Sequence, residues 1–340
     1  MGFLVTATRS PIALAFLLAG TTLAPGIAAA QPRDAAVPAN EIPGAVNVLG
    51  FGDIKPQSGG KLSFTGGEIA FGNEKQTASI PFAAVQAFSI EHSTTGLMRG
   101  TKSKVASQIP YGAGQLYGAI RLGAETLTIF YRDEHKALHG AVVILPKDRK
   151  DDVLRAFAAV RLSPGEGPIA GLAVAHANPP ARKRGKARRR LLTTDVHAVR
   201  VALPATLAPD LPTAYTAGIY EELLEKLGRN PAFDAVWRQG DDRAAPNALT
   251  LSVTVTKLQK GNAGVRGAIP IVGMLAGKTL ITADLQLDNA SGAPLVRQTI
   301  KGSKRFIGES MIATSSLAER ANKALQEAPV LSGGKAVAKK

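Results

Sequence analysis

His135 and His139 stand four residues apart beside Asp133 and Glu134, the strongest concentration of reactive side chains in a 340-residue chain with five histidines and no cysteine. On a helix, that spacing would aim both imidazoles at one metal ion. The flanking residues argue against a helix. Leu127, Ile129 and Tyr131 alternate with Thr128, Phe130 and Arg132, which is the period of a strand. Asp133–Lys136 therefore reads as a hairpin turn, with both histidines exposed and their rings diverging. The only adjacent glutamate precedes His135, so the helical zinc motif of metalloproteases is absent.

Other stretches also fall short of chemistry. Gly273-Met274-Leu275-Ala276-Gly277-Lys278-Thr279 has three residues between its glycines where a phosphate-binding loop has four. It leads into an alternating strand rather than the helix whose N-terminus would face phosphates. Asp241-Asp242 reads as a polar turn neutralised by Arg238 and Arg243, with too few spaced oxygens for calcium. Arg99, Lys102 and Lys104 lie in a Gly/Ser/Thr-rich loop, Leu97–Lys104, which reads as solvated or as an anion contact. Asn289-Ala290-Ser291 fits a glycosylation sequon, relevant only in a eukaryotic secretory pathway. No nucleophile elbow and no Ser/His/Asp set can be nominated. No catalytic residue, metal or cofactor is predicted, and a hydrolase assembled from distant residues is the weakest of the readings considered.

Charge is concentrated in one place. The net charge is +15, and Arg182, Lys183, Arg184, Lys186, Arg188, Arg189 and Arg190 contribute seven of it within nine residues. The run follows a Gly/Pro/Ala-rich stretch and has no period that could bury a face, so residues 163–193 read as an extended, self-repelling linker. Its chemistry would be attraction to an anionic surface, acidic lipid or polyanion. Each Lys or Arg near an acidic membrane contributes roughly 1 kcal/mol. The run has no aromatic residue to stack on bases, which speaks against single-stranded nucleic acid.

Residues 1–30 have one positive charge, Arg9, an apolar run Pro11–Leu18, a break at Pro25-Gly26 and small residues at Ala28-Ala29-Ala30. This is the layout of a secretory signal cleaved after Ala30, the rival being a retained anchor. It predicts a periplasmic or secreted protein without a later transmembrane segment. Residues 31–44 are Pro/Ala-rich and read as a disordered leader, and 329–340 as a disordered basic tail. With 45% hydrophobic and 20% charged residues, the remainder suits two domains with real cores.

Residues 45–162 read as short strands with frequent turn signals, Gly66-Gly67 among them, followed by one amphipathic helix. Candidate strands include Gln115–Leu122. In the helix Val153, Leu154, Phe157 and Val160 form the stripe, and Asp148 is the expected N-cap. This predicts a mainly-β sandwich or barrel closed at one end by the helix. The text "GKLSFTGGEIAF", "SIPFAAVQAFSIEH", "LTIFYRDEHKALHGAVVILP" and "KDDVLRAFAAV" resembles the pleckstrin-homology-like superfamily, in particular its GRAM-type members, over Gly50–Val160. The resemblance implies a docking module for lipid headgroups or peptides without catalysis. Lys55 and Lys61 alone stand where the family's phosphoinositide binders carry a basic cluster, so headgroup binding is not implied here.

Residues 194–328 read as strand, helix, four strands and helix: Val196–Leu203, Thr213–Leu227 ending at Gly228, Ala232–Arg238, Ala248–Leu258, Thr279–Asp288, Leu295–Lys301 and Ser310–Ala328. A largely antiparallel sheet with two helices on one face, an α+β sandwich, is expected. "GMLAGKTLITADLQLDNASGAPL" followed by "AERANKAL" resembles an uncharacterised bacterial envelope family related in outline to the N-terminal domain of TolB and to the curli secretion lipoprotein CsgG. The resemblance implies envelope assembly or scaffolding with other envelope proteins as partners. Those relatives are mostly anchored through a lipidated cysteine, which this chain lacks.

Overall fold

The computed structural model describes residues 40–93, 124–165, 198–259, 279–304, 311–328 and 330–331, all within one compact unit. The stretch that reads as a signal, residues 31–39, Gln115–Leu122, Leu97–Lys104, Arg182–Arg190, Gly273–Lys278 and residues 332–340 lie outside the described residues. Among these residues the fold is mainly β, with two antiparallel-rich sheets and three α-helices.

The first sheet has seven antiparallel strands in the order β4-β3-β2-β1-β7-β6-β5. Its strands are β1 Asn40–Leu49, β2 Ser58–Thr65, β3 Glu68–Gly72, β4 Thr77–Pro81, β5 Val85–Ser93, β6 Ala124–Arg132 and β7 Leu138–Leu145. Two meanders, β1–β4 and β5–β7, join where β1 pairs with β7. Gly66 and Gly67, at φ +60 and +82, close the two-residue β2–β3 hairpin, as such a turn requires. β1 begins at Asn40, inside the stretch expected to be disordered. There Ile42 is fully buried, and residues 40–43 pair only with β2, so Pro43 sits on a one-sided ladder that tolerates its missing donor.

Helix α1, Lys150–Ala159, closes this half. Phe157 stacks on Phe88 at 3.8 Å between centroids and meets Phe64 and Phe82 edge-on at 6.0 and 5.5 Å. Asp148 is not the N-cap. It adopts φ +63, Arg149 occupies the cap position without a side-chain cap, and Asp152 pairs with Arg149 and Arg155 inside the first turns.

The second sheet holds β8 Ala198–Val201, β9 Ala205–Thr206, β10 Ala235–Trp237, β11 Leu249–Gln259, β12 Thr279–Asp288 and β13 Pro294–Lys304, in the order β10-β8-β11-β12-β13 with β9 beside β11. Leu249, Leu251, Val253 and Val255 are buried and alternate with half-buried Thr250, Ser252, Thr254 and Thr256, as their period dictates. The sheet is more mixed than the sequence implied. β8 runs parallel to both β10 and β11, because the β8–β10 connection crosses over through helix α2, Thr213–Leu227. The first strand also ends early, at Val201, and Pro204 separates it from β9. Helix α3, Ile312–Gln326, packs on β12 and β13. Gly302 permits this, since a Cβ there would lie 2.6 Å from Ala313 O and Leu317 N.

The two halves share an apolar cluster. Val46, Val48, Phe130, Leu138, Val142 and Ile144 of the first sheet join Tyr215, Ala217, Leu223, Val253, Leu285 and Leu317 of the second half. The opposite face of the first sheet, with Leu62, Ile129, Ala141 and Val143, belongs to the cluster closed by α1. β7 is thus buried on both faces, which is why Ala141–Leu145 is uninterruptedly apolar. Helix α2 lies against β6 and β7 on one side and α3 on the other.

Candidate functional site

The residues with chemical potential gather where the β6–β7 turn meets the segment after β10. Asp133 builds the turn. Its Oδ1 accepts the N–H groups of His135 and Ala137, both at 2.9 Å, while Lys136 takes φ +60. The turn was expected, but His139 is not an exposed turn residue. It is the second residue of β7, directly across from Tyr131, and its ring stacks on the phenol at 5.1 Å and 17°. Its Nε2 lies 3.1 Å from Asp133 Oδ2, so the neutral ring carries its proton there. His135 stays in the turn, 3.3 Å from the exposed Glu134 carboxylate. The two imidazole rings do not share a partner, since Asp133 meets His135 only through its backbone N–H.

The second half supplies the other wall. Arg238 donates to both Glu221 oxygens of α2, at 2.7 and 2.8 Å, and to Leu138 O at 3.1 Å. Glu221 Oε1 also accepts the N–H of Gly140 on β7 at 2.9 Å. Backbone bonds continue the seam, Leu138 N–H to Gln239 O at 3.0 Å and Asp242 N–H to His135 O at 3.1 Å. Tyr220 Oη accepts the Gln239 N–H at 2.8 Å. Gly240, at φ +80, is obligatory at this approach, because a Cβ would fall 2.0 Å from Arg132 Nη1 and 2.9 Å from Lys136 O. Asp241 is neutralised by Arg243 at 2.9 Å as the sequence implied, but Arg238 is engaged by Glu221 instead.

The electrostatics follow from this geometry. Burial and the nearby Arg238 guanidinium lower the His139 pKa, and the Asp133 hydrogen bond only partly opposes them. For Asp133 burial acts upward, but the hydrogen bonds from His139 and the turn amides outweigh it and hold the carboxyl below its ordinary range. Burial, reinforced by Glu221, pushes the Tyr131 phenol up to about 12. Burial opposes the charge on Arg238, yet Glu221 more than compensates and raises its pKa.

An Asp–His pair with a fixed tautomer is two-thirds of a nucleophile-activating relay. Among the described residues no hydroxyl is hydrogen bonded to the other ring nitrogen, and no three His, Asp or Glu side chains gather to hold a metal ion. The arrangement can do one thing well, which is to hold two halves in register. Lys61 pairs with Glu41 at 2.7 Å rather than with any cluster around Lys55. Among the described residues no helix is long and apolar enough to cross a membrane.

Sequence reasoning missed Glu221, Glu91 and Gly140. Glu91 of β5 accepts the N–H of Thr213 with both oxygens at 2.9 Å and its hydroxyl at 2.7 Å, capping α2 from 122 residues away. The available signal was in α2 itself. Ala214, Ala217 and Glu221 recur at i, i+3 and i+7 on a different side from Leu223 and Leu227, giving a second face of two alanines and one carboxylate.

No protein-family model matches the chain, and no curated protein matches it in sequence. Among solved structures, the PelC dodecamer from Paraburkholderia phytofirmans is similar over 38% of this chain and 87% of its own, at 14% identity and a TM-score of 0.23. The hypothetical protein CT253 from Chlamydia trachomatis is similar over 40% of this chain and 97% of its own, at 8% identity and a TM-score of 0.28.

Proposed function

We propose that the chain is a non-enzymatic, exported protein of the bacterial envelope that acts as a scaffold or interaction module. The observation that carries this reading is how the reactive side chains are used. Asp133, His139, Glu91, Glu221 and Arg238 all have partners inside the molecule, and three of them, Glu91, Glu221 and Arg238, bond across the two halves. The order of two antiparallel meanders and a closing helix supports a pleckstrin-homology-like reading of the first half, a fold used for docking. The sheet with two helices supports the envelope-domain reading of the second. Cross-linking the full chain in its native envelope tests the proposal. Discrete, reproducible adducts with envelope proteins are expected; turnover in a broad hydrolase screen, abolished by His139→Ala, would overturn it.

A second reading is favoured by the distribution of charge. Of 41 Lys/Arg and 26 Asp/Glu, the described residues hold 21 and 22. The described residues are therefore near neutral, and the whole positive excess lies in the remaining stretches, Arg182–Arg190 foremost. Such a distribution suits capture of an acidic lipid surface or polyanion by those stretches. Neutralising Arg182, Lys183, Arg184, Lys186, Arg188, Arg189 and Arg190 should abolish retention on acidic liposomes at low salt, and unchanged retention rejects this reading.

A further inference from the structure

A sheet edge offers unpaired N–H and C=O groups to any passing strand, so proteins shorten, cover or charge their edges. Among the described strands, three of the four edges are blunted. β4 has five residues and ends at Pro81, and β10 has three. β5 is partly covered, its Phe88 O accepting the N–H of Gly165 at 2.9 Å where the chain returns from α1. β13 is different. It runs for eleven residues, pairs with β12 along its length, and has no described strand on its other side.

The face that β13 turns away from α3 carries Arg297, Thr299 and Lys301 at alternate positions, all exposed. Arg297 leans on a neutral partner, Gln286 Oε1, through Nε at 3.1 Å, and Thr299 donates to Asp284 at 2.7 Å. Neither cation makes an ion pair with a described residue. On the other face Ile300 and Gly302 are buried under α3, whose Ser316 hydroxyl donates to Ser303 O at 3.2 Å, and from Pro294 to Gly302 no described strand pairs with the outer edge.

We propose that the outer edge of β13 docks one extended, acidic strand of a partner protein, with carboxylates at alternate positions facing Arg297 and Lys301. Backbone bonds to an added strand supply affinity, and alternate side chains supply selection. A second copy of this chain fits less well. Antiparallel self-pairing about Thr299 sets Arg297 opposite Lys301, and like charges directly across a ladder are destabilising. The proposal deepens the interaction-module reading and rests on it, naming the surface and the chemistry of the partner.

The test uses the full chain and a labelled nine-residue peptide of alternating Val and Glu, followed by fluorescence anisotropy at low and high salt. Three controls accompany it: the same peptide with Lys for Glu, the acidic peptide N-methylated along one edge, and the Arg297→Glu/Lys301→Glu variant. Both substituted positions are exposed, so a thermal melt matching the unsubstituted chain verifies the fold. Salt-sensitive binding of the acidic peptide is expected, weakened at least tenfold in the variant and absent for the N-methylated peptide. No binding, or equal binding of the lysine peptide, overturns the proposal. So does an Arg297→Thr/Lys301→Thr variant that self-associates by light scattering while the unsubstituted chain ignores the acidic peptide, since the charges then only guard the edge. If the peptide fails while the chain still forms envelope adducts, the edge assignment falls and the interaction-module reading stands.

Discussion

Arg238 is three-quarters buried and its guanidinium is matched by both oxygens of Glu221, whose side chain is 14% exposed. Removing one member of such a pair strands the other charge, at a cost of about 3–5 kcal/mol. Glu221→Ala should lose that much in denaturant unfolding, and Glu221→Ala/Arg238→Met should recover part of it; an additive double variant would mean the pair is not coupled. His139 carries a pH dependence of defined sign. Its folded pKa is depressed below the ordinary 6.5, so the unfolded chain takes up the proton first. The resulting stability is present above pH 6.5 and falls as the pH drops through the folded value. Asp133, also depressed, adds a further loss at still lower pH. The melting temperature should decline on acidification from pH 6.5, and His139→Gln should flatten the upper part of that decline. At this scale little was legible. Asp133 as a turn former followed from its neighbours, but the His139–Asp133 and Arg238–Glu221 pairings depend on a chain reversal and a crossover that no local spacing encodes.

Helix α2 is the element on which both sheets converge. Its first N–H has no local cap, since Pro212 precedes it, and Glu91 supplies the missing acceptor. Glu91→Ala should cost about 0.5–2 kcal/mol, the usual value of a lost cap, measured by chemical denaturation. Gly140 allows the helix to sit close to β7, where a Cβ would meet Ala217 Cβ at 3.0 Å. Gly140→Val overpacks this contact and should cost about 1–3 kcal/mol. Phe157→Ala, by contrast, empties the aromatic stack under α1 and should cost about 3–5 kcal/mol. Elements were the most legible part of the molecule. Thr213–Leu227 and Thr279–Asp288 coincide with their sequence-derived limits, because each has a clean period and a Pro or turn at its border. The parallel pairing of β8 was hidden, since a strand's direction is set by how its connection crosses the sheet.

The halves flanking the basic run read in sequence as separate units, and the structure gives them a common apolar cluster and a hydrogen-bonded seam. One clue to this was legible. Ala141-Val142-Val143-Ile144-Leu145 leaves no polar face for solvent, so a strand made of it needs cover on both sides. The partner that covers it could not be read, because α2 begins some seventy residues later. A body of this kind, near neutral over its described residues and joined across its halves by the Arg238–Glu221 pair, suits the proposed scaffold. Differential scanning calorimetry of the full chain tests this most directly. One transition is expected, with equal calorimetric and van't Hoff enthalpies, shifted as a whole to lower temperature by Gly140→Val. Two resolved transitions, only one of them moved by that substitution, would contradict it.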